Sequence, residues 1–330
     1  MKATNYILFA AAAIALAACS NDELPTDDLN APVEIRLTSG LDVQTRASHD
    51  LDTQLKNGEQ VRVWVDDAKD IQPDVRVENL YKDRKLTAGE NHTLTGETMY
   101  FPQTGNAVNI YAIHGNFDAY EDWSSGGFWG EVILHWIEQD QKSTTDGYAK
   151  SDLVYAKSPN VVRTKSAVNL QFSHMLSKIE VVLVQGAGSP EIAKMEILNT
   201  KIIAKFTPDK ANGFSVKAED NVGEIGNPIE IDTHQTDAKT AANTDSDEGK
   251  ELNEAVIVPQ PLKKDTPFIR ITTIAGGELV YKLPEDKTFD PAKKYRFTVT
   301  ANLTELKVVN AEITDWTPEI GDDDGTAEME

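Results

Sequence analysis

Apolar and polar residues alternate along residues 33–43. The apolar positions are held by Val33, Ile35, Leu37, Leu41 and Val43, and only Ser39 and Gly40 weaken the pattern. Successive side chains of a β-strand point to opposite faces, so an alternation of period two predicts a strand with one face against a core. We therefore expect a β-strand in this segment.

Short apolar runs separated by turn residues continue along the rest of the chain. In the first half they predict strands at 61–65, 131–137, 152–156, 168–172 and 178–184, and a hairpin of 98–102 with 107–113. In the second half they predict strands at 192–197, 214–216, 228–231, 255–258, 268–274, 279–283 and 295–299. No long stretch keeps a helical period. The pattern is typical of an all-β protein built from β-sandwiches.

Two stretches interrupt the strands. Residues 186–190 (GAGSP) predict a break between two domains. Residues 232–254 contain Leu252 as their only large aliphatic residue, which predicts a mobile acidic loop that cannot bury itself.

The last predicted strand changes phase along its length. Leu306 and Val308 share one parity, whereas Val309, Ala311 and Ile313 have the other. A phase slip of this kind predicts a bulge or a bend, so that the strand can serve two sheets or two molecules. The acidic tail that follows, 317–330, is expected to be solvated.

An apolar run at residues 6–18 is too short to span a bilayer but has the length of a secretory signal core. It ends in Leu16-Ala17-Ala18-Cys19, which resembles the lipobox of bacterial lipoproteins, and Cys19 is the only cysteine of the chain. The resemblance implies a signal peptide at 1–18 and a lipid on Cys19 that tethers the protein to the outer membrane. The alternative is a generic signal peptide with an incidental cysteine.

The composition limits the possible partners. Asp and Glu number 54 against 32 Lys and Arg, which gives a formal net charge of -22 over 330 residues. A chain this acidic is a poor partner for nucleic acid or for an anionic membrane surface. Its length allows two domains with cores, and a single cysteine allows neither a disulfide nor a thiolate metal site.

Arg46 lies in a polar stretch directly after the first predicted strand. A trypsin-like protease requires an exposed, extended basic residue. Cleavage between Arg46 and Ala47 would detach the strand together with the lipid. Any lone arginine in a loop would meet this requirement, so the position alone is a weak indication.

Five segments carry a family resemblance: MYFPQTGNAVNIYAIHG, SDLVYA, LQFSHMLSKIEVVL, AVIVPQPL and YRFTVTANLTELKVVNAEITDW. In this order and spacing after the lipobox, they resemble the fimbrillin superfamily of type V pilus subunits. The resemblance implies two transthyretin-like β-sandwich domains, at 47–185 and 186–330, preceded by a lipidated propeptide at 19–46 that holds the removable first strand.

The resemblance also implies a role in assembly. Such subunits are exported as lipoproteins, cut by an arginine-specific protease, polymerised by donor-strand exchange with other pilus subunits, and used in adhesion. Loss of an interior strand leaves unpaired backbone groups that an incoming strand can fill. The candidate donor segment is 306–316, with Leu306, Val308, Val309, Ala311 and Ile313 as its apolar residues. The alternatives are that it is simply the last strand of its own domain, or that the protein is an uncut anchor or tip subunit.

Motifs for catalysis are missing from the sequence. The six histidines show no metal-binding spacing, and there is neither a nucleophile elbow nor a phosphate-binding loop, so we expect no enzymatic activity and no cofactor. Asn243, Asp245, Asp247 and Glu254 imitate calcium-loop positions, but Glu248 stands where that loop needs glycine. His174 is expected to be a hydrogen-bonded core residue.

A different class of function also fits the sequence. The segment 114–130 is rich in aromatic residues. If it is exposed, the protein could be a monomeric surface lipoprotein that binds a glycan or a host ligand.

Overall fold

A computed structural model describes residues 31–41, 55–70, 80–117, 133–186, 188, 190–209, 213–218, 228–243, 249–302 and 306–316. Within these ranges the chain forms 21 β-strands and two α-helices of five residues each. The prediction of an all-β fold is confirmed.

The first half of the chain forms a closed barrel. Its strands are β1 (Leu37–Leu41), β2 (Gln60–Asp67), β3 (Tyr81–Ala88), β4 (Thr93–Gly96), β5 (Val108–His114), β6 (Ile133–Trp136), β7 (Val154–Val161), β8 (Val168–His174) and β9 (Ser177–Gln185), with helix α1 (Gly147–Ser151) before β7. Seven of them pair in the cyclic order β1-β4-β3-β2-β5-β7-β8. The strands β6 and β9 lie outside the barrel.

The second half forms open sheets. Its elements are β10 (Ile192–Ile197), β11 (Ile203–Asp209), β12 (Gly213–Ala218), β13 (Ile229–Ile231), β14 (Gln235–Thr236), α2 (Ala238–Ala242), β15 (Asn253–Ile257), β16 (Gln260–Leu262), β17 (Pro267–Thr273), β18 (Glu278–Lys282), β19 (Lys287–Phe289), β20 (Lys293–Ala301) and β21 (Leu306–Asp315). The pairing orders are β13-β10-β17-β18, β14-β9-β20-β21, β12-β11-β6 and β16-β19, and β15 also pairs with β9.

Two hydrophobic cores lie on the two sides of the barrel wall. Val63 of β2 and Ala112 of β5 point into the barrel core. Their neighbours Trp64 and Tyr111 belong to the larger core that extends into the second half. Alternation along a strand sends successive side chains to opposite faces, so these strands are apolar on both. The outer face of the barrel at β2 and β5 is therefore packed against the rest of the protein.

Strand pairing does not follow the predicted domain boundary at residue 186. Strand β6 pairs with β11, and β9 pairs with β15 and β20, so two strands of the first half lie in sheets of the second. The buried side chain of Gln141 adds a further link, because its Oε1 accepts from the Val256 N–H at 2.7 Å and its Nε2 donates to the Val256 carbonyl at 3.0 Å. The two halves are thus joined by backbone hydrogen bonds as well as by packing.

Two predictions about local structure are wrong. Residues 98–102 do not form a hairpin with 107–113, because β5 pairs with β2 and β7, and Tyr100 instead forms a bridge with Glu34. The predicted loop 232–254 contains β14, α2 and the start of β15, and Leu252 is buried with Val182 and Val184. In both cases a distant segment supplies the partner that the local sequence does not reveal.

Among the described residues, no helix has the length and apolar character needed to cross a membrane.

Candidate assembly site: the first and last strands

Strand β1 closes the barrel by lying between two other strands. It pairs in parallel with β8 from Leu37 opposite Val168 to Leu41 opposite Phe172. On its other side it pairs antiparallel with β4, with Leu37 opposite Leu94. Among the described strands, β4 otherwise pairs only with β3 and β8 only with β7, so β1 joins the two ends of the sheet.

The residues just before β1 are also held by backbone hydrogen bonds. The Ile35 N–H donates to the Met99 carbonyl at 2.8 Å, and the Phe101 N–H donates to the Val33 carbonyl at 2.9 Å. The Val168 N–H donates to the Arg36 carbonyl at 2.8 Å. The segment from Val33 onward is therefore an integral part of the barrel wall.

The inward face of this segment is apolar and buried. Val33, Ile35 and Leu37 are 7%, 4% and 3% exposed, and they pack in the barrel core. Ser39, which weakened the sequence pattern, continues the inward row at 3% exposure, and its hydroxyl donates to the His92 carbonyl at 3.4 Å. Glu34 on the outward face is exposed.

The burial of this face indicates how much free energy of folding the segment contributes. Three fully buried aliphatic side chains are worth roughly 1.5 to 3 kcal/mol each, or roughly 5 to 9 kcal/mol together, as an upper estimate. Without β1, its two neighbours would stand about 10 Å apart, which is twice the spacing of paired strands and leaves room for one strand. The vacancy would have an apolar floor and two unpaired backbone edges.

Several residues named from the sequence lie outside the described part of the chain. These are Cys19, Val43, Arg46 and Ala47. Leu41 is the last residue of β1, and only its backbone is described. Lipidation and cleavage therefore remain predictions.

Strand β21 differs from β1 in pairing with a single one of the described strands. It pairs antiparallel with β20 from Leu306 opposite Ala301 to Asp315 opposite Lys293 and stands last in its sheet. The register shifts between Val309 and Ala311, which leaves Asn310 without a paired residue. The bulge that the phase slip predicts is confirmed, and it lies at Asn310, directly after the slip between Val308 and Val309.

The apolar residues of β21 belong to the second-half core as far as they are described. Leu306 and Val308 are half-buried against that core. For Val309, Ala311 and Ile313 only the backbone is described, and Ala311 and Ile313 are paired with the buried residues Phe297 and Tyr295. The candidate donor strand is thus seated in its own sheet.

Two clefts lie beside the ends of the aromatic-rich segment. One, of about 680 Å³, is lined by residues such as Trp136, Glu138 and Ile202, and the other, of about 510 Å³, by residues such as Glu59 and Glu138. Burial raises the pKa of the Glu59 carboxyl, an effect that nearby His114 opposes. Polar groups on an open surface can bind a polar ligand, but the aromatic residues between 118 and 132 lie outside the described part.

His135 is buried and hydrogen-bonds to Asn116, which lines both clefts. Its Nδ1 accepts from the Asn116 N–H at 2.9 Å, and its Nε2 donates to the Ser151 carbonyl at 2.8 Å. Complete burial lowers the pKa of the imidazole to about 4, so the ring is neutral at pH 7. This matches the tautomer that the two hydrogen bonds require.

No group of three or more His, Cys, Asp or Glu side chains that could hold a metal ion occurs within the described ranges. His174 is buried, and its Nδ1 lies 2.9 Å from a carboxylate oxygen of Asp152. It is therefore the hydrogen-bonded core residue that we expected.

Comparison with solved structures finds this all-β architecture in other proteins. A candidate cell adhesion protein from Bacteroides uniformis superposes with a TM-score of 0.58 and 19% sequence identity, covering 87% of this chain and 99% of its own. A second one, from Bacteroides ovatus, gives 0.59 and 16%, covering 88% and 99%. At this identity the likeness establishes the fold.

A family comparison identifies the class more closely. The fimbrillin-like family profile matches residues 45–316, most of the chain, and the protein belongs to that family. The match begins beside Arg46 and ends at Trp316. A search of curated protein sequences finds no match.

Proposed function

We propose that this protein is a pilus subunit at the cell surface, and that it assembles when its first strand is removed and replaced by a strand of another subunit. The main support is the position of β1 as the strand that closes the barrel. Membership in the fimbrillin-like family and the fold shared with candidate cell adhesion proteins support the same role.

Export and anchoring form the first step of the proposal. The precursor leaves the cytoplasm through its signal peptide, and Cys19 receives the lipid that holds it at the outer membrane. Stable anchoring by acyl chains needs more than one chain, which a lipobox cysteine can carry. The anchor then lies on the same side of Arg46 as β1.

Cleavage after Arg46 is the second step. It severs the connection between β1 and the rest of the fold, so the strand is held only by its pairing and its buried side chains. Arg36 offers an internal comparison, since its carbonyl accepts a hydrogen bond inside the barrel wall. A protease that requires an extended, accessible chain is expected to cut at Arg46 and to leave Arg36 intact.

Strand exchange is the third step. The vacated position exposes an apolar surface and two backbone edges, and an incoming strand with alternating aliphatic residues restores the lost burial. We infer that the donor is the segment 306–316 of a neighbouring subunit. Slow dissociation of such a buried strand would hold the filament together.

Digestion with an arginine-specific protease tests the proposal. The purified protein should yield a fragment that begins at Ala47, identified by mass spectrometry, and should then form ladders on mild detergent gels. Arg46→Lys keeps the charge but removes the cleavage site, so this variant should stay uncut and monomeric. A cut protein that stays monomeric at high concentration would overturn strand exchange.

The monomeric binder is the second candidate, favoured by the two clefts beside the aromatic-rich segment. It predicts that tryptophan fluorescence responds to added glycans in the uncut protein. An uncut anchor or tip subunit predicts instead that Arg46 resists the protease in the folded protein.

A further inference from the structure

The residue directly after β21, Trp316, is 0% exposed. Its indole stacks on the imidazole of His174, with ring centroids 4.0 Å apart and an angle of 3° between the planes. Its backbone N–H donates to the Ala292 carbonyl at 2.8 Å. The carboxyl end of the last strand is therefore seated in a specific socket.

The socket is formed mainly by other elements of the fold. His174 ends β8 and is held by Asp152, just before β7, at 2.9 Å. The ammonium of Lys178, at the start of β9, lies 5.9 Å from the centre of the Trp316 ring, and Glu254 holds it at 2.8 Å. A flat imidazole and a nearby cation both favour an aromatic ring. The last strand is thus attached to the barrel half as well as to its own sheet.

Chain connectivity decides which end of β21 can leave first. Only residues 302–305 join its amino end to β20, so that end stays tied to the sheet. The carboxyl end has no such short connection to its neighbour. Separation of β21 from β20 therefore starts at the end that Trp316 holds.

The socket is also suited to release. The Trp316 Nε1 and the His174 Nε2 are buried and make no hydrogen bond within the described part of the chain. A buried polar group without a partner costs free energy that hydration would recover. Packing holds the indole in place, while its unpaired N–H favours opening.

We propose that Trp316, seated on the His174–Asp152 pair, is a latch that keeps β21 in its own sheet until an acceptor is available. The latch is a property of the uncut monomer. Its value for assembly rests on the proposed function, in which β21 is the donor strand.

Hydrogen exchange of the uncut monomer, followed by mass spectrometry of peptides, tests the latch. In Trp316→Ala and in His174→Ala, amides of 306–315 should exchange at least tenfold faster, while those of β9 change much less. Trp316→Phe keeps an aromatic ring on the imidazole and should retain most of the protection. His174→Ala leaves the strand itself untouched, so it serves even if Trp316→Ala does not fold.

Val299→Ala is the matched control, because Val299 is fully buried on β20 beside β21 but makes no part of the socket. It should raise exchange across β9, β20 and β21 alike. If the Trp316 and His174 variants give that same uniform pattern, or leave 306–315 unchanged, the latch is wrong.

The proposed function is judged separately by the detergent ladders of the protease-treated protein. Faster exchange in 306–315 without any ladder would support the latch and contradict the donor role. Ladders from the cut protein, together with unchanged exchange in 306–315 of the variants, would support the donor role and contradict the latch.

Discussion

The first and last strands of this protein are both apolar and both close to the ends of the fold, but they are held in different ways. Strand β1 has a neighbour on each side and a buried inward face, whereas β21 has a single neighbour and ends its sheet. Removing β1 would leave a gap between two strands, and removing β21 would leave an edge. A gap between two strands can accept an incoming strand, and an edge strand can leave its sheet. The difference therefore matches the acceptor and donor roles that we propose.

Loss of the first strand should have the largest effect. A chain that begins at Ala47 should be less stable by roughly 5 to 9 kcal/mol, as estimated from the three buried aliphatic residues. The urea midpoint of unfolding measures this loss. A synthetic peptide spanning 31–43 should restore the midpoint, and a peptide with Ile35→Asp should not. An unchanged midpoint in the shortened chain would remove the basis for a vacancy.

One substitution in β21 and one in the segment that leads into β1 compare the two regions directly. Val33→Ala should cost about 2 kcal/mol, because its side chain is buried in the barrel core. Val308→Ala should cost about 1 kcal/mol, because Val308 is only half-buried. Equal losses in chemical denaturation would contradict the distinction between an interior strand and an edge strand.

The pH dependence of stability provides a reference, because it reports on His135, which lies outside both strands. The pKa of His135 is about 4 in the fold and near 6.5 when unfolded, so the unfolded state binds the proton first and stability falls as pH drops below 6.5. The loss between pH 8 and pH 5.5 should be on the order of 1 to 2 kcal/mol.

Urea unfolding at the two pH values measures the loss. His135→Gln should weaken this pH dependence, and His234→Gln, at an exposed site, is the matched control. A parent-like pH dependence in His135→Gln would show that another group titrates.

The outward face of the segment that leads into β1 should give the smallest effect. Arg36→Glu changes an exposed side chain between two buried ones, so the expected change is within about 0.5 kcal/mol. A thermal melt compares it with Ile35→Ala, which should cost at least 2 kcal/mol. A large loss in Arg36→Glu would show that the outward face is also packed.

Much of the strand content follows from local pattern. The alternation at 33–37 and the phase change near Val309 both correspond to observed features, a buried inward row and a bulge at Asn310. Both are properties of side-chain parity, which a sequence displays directly.

Pairing between distant segments could not be derived in the same way. The sequence predicts a hairpin for 98–102, but the actual partner is Glu34, more than 60 residues away. Likewise, Gln141 shows no sign in the sequence that its amide pairs with Val256 in the other half. The contact between His174 and Trp316 also depends on the complete fold.

Of all the described strands, β1 comes first along the chain. A strand in the middle of the sequence would remain tied at both ends and would need two breaks before it could be exchanged. Here one hydrolysed peptide bond, anywhere in 42–54, is enough to turn a covalent part of the barrel into a separate ligand of it.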